Sequence, residues 1–193
     1  FLTFKIFDLL WPSDFIKFRI GATDFCVFLE QEITGVTTTT IGIAAAIFLA
    51  VKSLIQPLIG RIADNEKGNQ REVKFLYVSS ILIIVTPLIY IFAKNIYHIY
   101  IAQFIYGVGM AFSSAVWYTL YTRFVDDNKA GFQWSMYDTI TGLAGAATAF
   151  IGAVIAQYFG FKSVFILISV FSCFSLFVMI FLERHAIKNY SKK

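Results

Sequence analysis

Charged residues, cysteine, histidine and proline are all scarce in this chain. Of its 193 residues 15% are charged, and it has two cysteines, two histidines and three prolines. A soluble domain carries about 25% charged residues over its surface, so the composition argues against one. Cys26 and Cys173 fall inside apolar segments, and His98 and His185 lie in separate polar segments. We therefore expect no structural disulfide, no metal site and no cofactor.

Three sequence patterns are also missing. The chain has no visible combination of nucleophile, base and orienting group and no phosphate-binding loop, so it is not expected to be an enzyme. No short apolar segment is followed by a small-residue cleavage site, so no signal peptide is expected. No linker rich in serine, glycine or proline divides the chain, so a single membrane domain over 1–193 is predicted.

Long apolar runs take the place of the missing charges. The chain is 58% hydrophobic with a mean hydropathy of +0.71, and its charges gather in short stretches between the runs. A helix that crosses about 30 Å of hydrocarbon needs about 20 apolar residues. The sequence therefore predicts an all-α integral membrane protein of six transmembrane helices. The predicted spans are 9–29, 36–59, 75–92, 99–121, 134–157 and 161–182.

Positive charges concentrate on one side of this predicted bundle. With both termini on one side, that side holds eleven lysines and arginines, whereas the opposite loops hold only Lys94 and Lys162. Basic loops stay on the cytoplasmic face. We therefore predict a multi-pass protein of the plasma (inner) membrane with cytoplasmic N and C termini and with Glu30 and His98 outside. A net charge of +4 could suggest nucleic acid, but in a membrane protein the placement of the charges is informative, so membrane lipid and not nucleic acid is the expected partner.

The turn after the second predicted span reads GRIADNEKGNQR, from Gly60 to Arg71. It resembles the Gly-x-x-x-Asp-x-x-Gly-x-Arg signature of the major facilitator superfamily, with one extra residue between Asp64 and Gly68. Glycine permits close helix approach, and a carboxylate at a helix end can engage a neighbouring helix N-terminus or an arginine. The resemblance implies a conformational latch, formed by Gly60, Asp64, Gly68 and Arg71. The alternative is an ordinary charged loop on the cytoplasmic side.

The resemblance to this family extends over 36–182, in the helix spacing, in Gln56-Pro57 before the signature and in the turn 156–161. Full-length members have two six-helix halves, each built from two inverted three-helix repeats. The chain resembles one such half. This implies a secondary active transporter of an unknown small solute, with two half-units paired as a homodimer around one pathway. The alternative is a non-transporting structural or regulatory membrane protein, or the remnant half of a full-length carrier.

Two elements of the family are altered here. Gln103 stands where the family's fourth helix has an arginine, and the fifth predicted span lacks the proline of the antiporters. The resemblance therefore disfavours exchange of drugs for protons.

Polar faces on two predicted spans point to a substrate cavity. In the family, the first and fourth helices of each half line the cavity. Here three ionisable residues of the first span share one face, and the polar and aromatic residues of the fourth span also share a face, at about 100° of rotation per residue. Because ionisable groups facing lipid are costly, both faces are expected to border water. The expected cavity residues are Asp14, Lys17, Asp24, Gln103, Tyr106, Ser113 and Trp117. The alternatives are a first span at the membrane surface, which Arg19 on its opposite face favours, and plain packing in the fourth.

A dimer interface is predicted from two ionisable residues inside the spans, Lys52 and Asp138. With helix ends near Gly60 and Gln133, they would lie about 12 Å and about 8 Å from the cytoplasmic ends of their helices. In the family, the second and fifth helices of one half face the other half. Lys52 is therefore expected to reach Asp138 of the second copy, beside the small-residue face that includes Gly145. The alternative is that Lys52 extends to the headgroups and Asp138 makes an intrachain contact.

Overall fold

The structure, a computed structural model, describes residues 33, 36–64, 69–122 and 125–190. Five long helices occupy this part of the chain, and a short 3₁₀ turn, Asp127–Lys129, precedes the fourth. The helices are α1 (Thr38–Asp64), α2 (Asn69–Phe92), α3 (Ile96–Thr122), α4 (Ala130–Phe159) and α5 (Phe161–Tyr190). Each contains a stretch that is long and apolar enough to cross a membrane. The all-α membrane character predicted from the sequence is confirmed.

The first predicted span falls outside the described residues. Asp14, Lys17 and Asp24 belong to that span, and Gly68 also lies outside the described part. The count of six helices and the inverted repeat therefore stay predictions.

Local side-chain contacts fix several helix ends. The hydroxyl of Thr37 accepts a hydrogen bond from the Thr40 backbone N–H, and the Thr40 hydroxyl accepts one from the Thr37 N–H, which closes the start of α1. At the start of α3, Asn95 Oδ1 accepts from the His98 N–H at 3.2 Å. Between α4 and α5, Gly160 adopts a φ of 78°, which favours glycine because a side chain would be strained there.

Helix α3 is the centre of the described bundle. It packs against α1 on one side and α2 on another, while α5 packs against both α2 and α4. Two glycines allow these close approaches. A Cβ added at Gly107 would lie 3.0 Å from the Phe48 carbonyl oxygen of α1, and one at Gly109 would lie 3.1 Å from Leu82 of α2. Small residues bring membrane helices together in this way.

Burial falls off sharply from the centre to the sides. Buried residues make up 56% of the most apolar stretch of α3 but 11% of those of α1 and α4. In a single chain, α1 and α4 therefore leave most of their surface exposed.

Candidate functional site

The predicted cavity residues of α3 are buried to different degrees. Gln103, Ser113 and Trp117 are each less than a tenth exposed, whereas Tyr106 is half-buried. Tyr106 stacks on Phe48 of α1 with a centroid distance of 5.1 Å. From the first to the last, these residues span about 21 Å along the helix, so they line a length of α3 and do not meet at one point.

Trp117 belongs to an aromatic cluster between α3 and α4. Its ring stacks on Tyr121 at 6.0 Å and on Tyr137 of α4 at 5.9 Å. Trp134 joins the cluster through an edge contact with Tyr121 at 4.7 Å. The indole Nε1–H of Trp117 is buried and has no hydrogen-bond acceptor among the described residues. Buried indole N–H groups normally have a partner, so this donor is a candidate binding group.

Hydrogen bonds hold the start of α4 against the end of α3. The Tyr121 hydroxyl donates to the Gln133 carbonyl oxygen at 2.9 Å, and Gln133 Oε1 accepts from the Asp126 N–H at 3.0 Å. Asp126 in turn caps the 3₁₀ turn by accepting from the Asn128 N–H. The aromatic cluster is therefore anchored at both helices.

A groove runs between α1 and α3 near the C-terminal ends of both helices, and we name it the α1–α3 groove. It has a volume of about 730 Å³. Six of its nine lining residues carry hydroxyl, amide or carboxylate groups, and the small residues Gly60 and Ala115 leave space between them. The groove residues are Ser53, Gln56, Pro57, Gly60, Asp64, Ala115, Tyr118, Thr119 and Thr122.

Asp64, one of the predicted latch residues, lies at one end of this groove. Its Oδ1 accepts a hydrogen bond from the Thr119 hydroxyl of α3 at 2.9 Å. Gly60 lines the groove one turn earlier, and Arg71 lies in the first turn of α2. The structure thus joins two predicted latch residues, Gly60 and Asp64, to a residue that sequence reasoning missed, Thr119. No local pattern could have found that contact, because the partners are 55 residues apart.

The predicted interface residues lie on the two side helices. Lys52 is half-buried on α1 and already has an interaction partner in the chain. Asp138 is exposed on α4, although it lies inside a membrane-spanning stretch. Gly145 is half-buried, and a Cβ added to it would meet nothing within 4 Å. The structure of one chain therefore leaves open space beside Gly145.

Helix α4 has three distinct faces. Thr148 and Gly152 are buried on one face. A second face is exposed and carries large apolar side chains, namely Phe132, Met136, Ile140, Leu143, Phe150, Ile151 and Val154. A third face covers about 100° of the helix and is also open, but its residues are small or polar. We name it the small-residue face of α4, formed by Ser135, Asp138, Thr139, Gly142, Ala146, Ala149 and Ala153.

Helix α1 is organised in the same way. Ile41, Ala44, Ile59 and Ala63 are buried. Large apolar side chains such as Ile43, Leu54 and Leu58 are exposed on another side. Its small-residue face consists of Gly42, Ala46, Ala50, Ser53, Pro57, Gly60 and Asp64, within about 80° of rotation, with Leu49 at its edge. This face opens directly into the α1–α3 groove.

Within the described residues, no group of three or more histidine, cysteine or acidic side chains is placed to hold a metal ion. Comparison with curated proteins gives no match to this chain. The family model described as Major Facilitator Superfamily matches residues 2–193, which is nearly the whole chain. Together with the long apolar helices, this match shows that the chain belongs to the major facilitator superfamily, a family of membrane transporters.

Proposed function

We propose that this protein is a secondary active transporter of a small solute, in which two six-helix units enclose one pathway. The observation that carries the proposal is the set of buried polar groups on α3, namely Gln103, Ser113 and the indole N–H of Trp117. Polar groups inside a membrane helix normally pair with each other, border water or contact a solute. The indole N–H has no acceptor in the described part of the chain, which supports a pathway beside this helix.

Cysteine accessibility tests this pathway without knowledge of the solute. In a background with Cys26→Ser and Cys173→Ser, the variants Gln103→Cys and Ser113→Cys should react with a charged, membrane-impermeant thiol reagent. Phe104→Cys is the matched control, because Phe104 follows Gln103 directly but is 53% exposed and is proposed to face lipid. Its thiol should stay unlabelled, since charged reagents do not enter hydrocarbon. Labelling at none of the three positions would favour the non-transporting alternative.

Transport itself requires a reconstituted system. Purified protein in proteoliposomes would be tested for uptake of solutes that raise its thermal stability, since a ligand that binds the folded state stabilises it. The expected result is saturable uptake of at least one such solute, lost in Trp117→Ala. Binding without uptake would identify a regulatory membrane protein.

The small-residue faces of α1 and α4 support the pairing of two units. Small residues on one face of a membrane helix allow another helix to pack closely against it. An exposed carboxylate on that face would be costly if it contacted lipid. A second six-helix unit, most simply another copy of this chain, would cover both faces. Lys52, Asp138 and Gly145 are proposed to lie at this interface.

The latch proposal rests on the position of Asp64 at the end of α1. Its hydrogen bond to Thr119 ties α1 to α3 on the proposed cytoplasmic side. We propose that this hydrogen bond forms in one conformation of the transport cycle and that Gly60, Gly68 and Arg71 determine the conformation of the adjacent turn. Thr119→Val should then alter the rate of uptake more than the amount of folded protein.

The protein is proposed to lie in the plasma membrane with both termini in the cytoplasm. The described helices support this orientation, because the end of α1 and the end of α3 are joined by the Asp64–Thr119 hydrogen bond and so share one membrane side. That side carries most of the basic residues, as cytoplasmic faces do.

A further inference from the structure

The rings of Tyr118 and Trp134 form an open edge of the aromatic cluster between α3 and α4. Their centroids are 6.1 Å apart, and their planes are inclined at 57° to each other. Tyr118 is 44% exposed and Trp134 is half-buried, whereas Trp117 of the same cluster is 7% exposed. The cluster therefore has a packed interior and an edge at which aromatic ring surface stays accessible.

Asp138 lies beside this edge. It follows Trp134 by one turn of α4, at about 40° of rotation around the helix. Trp134 is about 6 Å from the start of α4, and Tyr118 is about 6 Å from the end of α3, which the Tyr121–Gln133 hydrogen bond holds at the same level. The carboxylate of Asp138 therefore lies about one helical turn deeper than the two rings.

The Asp138 carboxylate adjoins open space. The Thr141 hydroxyl donates to the backbone carbonyl of Asp138 at 3.1 Å, and no described side chain pairs with the carboxylate. A Cβ added at Gly142 or Gly145, on the next two turns of α4, would meet nothing within 4 Å. Because a charge inside a membrane-spanning helix is costly unless it is paired or hydrated, this carboxylate is suited to a partner from outside the described chain.

The groups around this space favour a positively charged partner. Aromatic ring faces attract cations, and substituted ammonium groups are the ligands that clusters of such rings bind. The α1–α3 groove shares Tyr118 with the edge, adds the Asp64 carboxylate and has no lysine or arginine in its lining. Lys129 lies before the start of α4, about 14 Å from Asp138 along the helix axis, and Lys52 is not among the groove residues.

A bare metal ion fits this surroundings less well than an organic cation. Hard metal ions take six or more oxygen ligands, or several acidic side chains at one point. The described residues include no group of three or more acidic, histidine or cysteine side chains that could hold one. Two accessible rings beside a single carboxylate instead match an ammonium group that carries carbon substituents.

We propose that Tyr118, Trp134 and Asp138 form a binding site for the ammonium group of an organic cation, and that this cation is the transported solute. We name these three residues the ammonium site. The rings contact the carbon atoms around the nitrogen, and the carboxylate neutralises its charge. This inference rests on the proposed transport function and adds the chemical class of the solute.

Binding of defined cations to the purified protein tests the site. The probes are choline and tetraethylammonium, and the control is the uncharged isostere of choline, with carbon in place of nitrogen. Thermal stability and tryptophan fluorescence report binding, since a ligand of the folded state raises the unfolding temperature. At least one cation should bind, and choline should bind at least about tenfold more tightly than its isostere if it is the better probe. Equal affinity for charged and uncharged ligands, or binding of neither cation, would overturn the site.

Substitutions place the binding at the named residues. Asp138→Asn, Trp134→Leu and Tyr118→Leu should each weaken cation binding, by about tenfold for the loss of the carboxylate, while Trp134→Phe keeps a ring and should lose less. The fluorescence change should disappear in Trp134→Phe. Phe132→Leu is the matched ring control, since Phe132 is 67% exposed on the large apolar face. Asp126→Asn is the charge control, because asparagine also caps a turn. Cation binding unchanged in folded Asp138→Asn and Trp134→Phe would overturn the assignment.

A lipid headgroup could supply the same ammonium chemistry as a free solute. Nanodiscs of phosphatidylglycerol and of phosphatidylcholine distinguish the two sources. A free solute should bind with the same affinity in both. An affinity at least about tenfold lower in phosphatidylcholine would show that the lipid headgroup occupies the site and would overturn its assignment to the solute.

Uptake in proteoliposomes separates failure of this site from failure of the transport function. The expected result is saturable uptake of the cation that binds, lost together with binding in Asp138→Asn. Normal binding without uptake in that variant would overturn the role of Asp138 in the site. Uptake of uncharged or anionic solutes alone would overturn the ammonium site and leave the transporter standing. Cation binding without any uptake in the wild type would leave the site standing and remove the transport function.

Discussion

Because α3 approaches α1 closely at Gly107, we predict that a side chain at this position lowers the stability of the protein. A Cβ at this position would lie 3.0 Å from the Phe48 carbonyl oxygen and 3.1 Å from two carbons of the Val51 side chain. A carbon and an oxygen that are not bonded normally stay about 3.3 Å apart or more. Gly107→Ala therefore forces α1 and α3 apart by several tenths of an ångström.

The size of the effect follows from two opposing contributions. Overpacking of a tight interface costs about 1 to 3 kcal/mol. Alanine in place of glycine in a helix interior contributes about 0.5 to 1 kcal/mol in the other direction. We expect a net loss of about 1 to 2 kcal/mol in the free energy of unfolding, because the nearest atom is backbone and cannot rotate away.

Gly42→Ala is the matched control on α1. A Cβ there would meet nothing within 4 Å, so only the helix-propensity contribution remains and the variant should be slightly more stable than the wild type. Unfolding would be followed by tryptophan fluorescence while sodium dodecyl sulfate is added to mixed micelles. Adding Val51→Ala to Gly107→Ala should recover only part of the loss, since the contact with the Phe48 carbonyl remains. A Gly107→Ala protein as stable as Gly42→Ala would refute the close packing of α1 and α3.

Three further predictions concern single contacts. Trp117→Phe should change the free energy of unfolding by less than about 1 kcal/mol, because the lost N–H has no acceptor in the described chain, whereas Trp117→Ala should cost about 3 to 5 kcal/mol. Equal losses in the two variants would show that the N–H is bonded. Thr119→Val should cost about 0.5 to 1.5 kcal/mol by removing the donor to Asp64, and Thr122→Val, which loses only a bond within its own helix, is its control. A smaller loss for Thr119→Val than for Thr122→Val would argue against the interhelical bond. For topology, an impermeant reagent added to intact cells should label Asn95→Cys but not Asn128→Cys, and the reverse pattern would invert the orientation.

The helices of the described part were predictable because each apolar run is long enough to span a membrane. The ends of these helices were less predictable. The second predicted span stops at residue 59, whereas α1 continues to Asp64, and α4 begins at Ala130 instead of 134. Hydropathy reports where a helix leaves the hydrocarbon, but hydrogen bonding continues the helix into the headgroup region. Measured from the observed helix ends, the offset in depth between Lys52 and Asp138 is about 6 Å, compared with about 4 Å from the predicted ends.

The candidate site was less predictable than the helices. Helical periodicity correctly puts Gln103 and Trp117 on one side of α3, but it does not say which neighbour that side meets. Trp117 meets Tyr137 of α4, and Tyr106 meets Phe48 of α1. Such contacts depend on the rotation of each helix within the bundle. The sequence of a single helix does not encode that rotation, because packing against several neighbours sets it.

Helix α3 links the groove to the buried polar groups. Thr119 and Trp117 are two residues apart, so at about 100° per residue their side chains leave the helix on nearly opposite sides. Thr119 holds the end of α1 through Asp64, and Trp117 packs on Tyr137 of α4. A rotation or tilt of α3 that breaks the Thr119–Asp64 hydrogen bond therefore also displaces Trp117 from Tyr137, because both side chains belong to the same rigid helix.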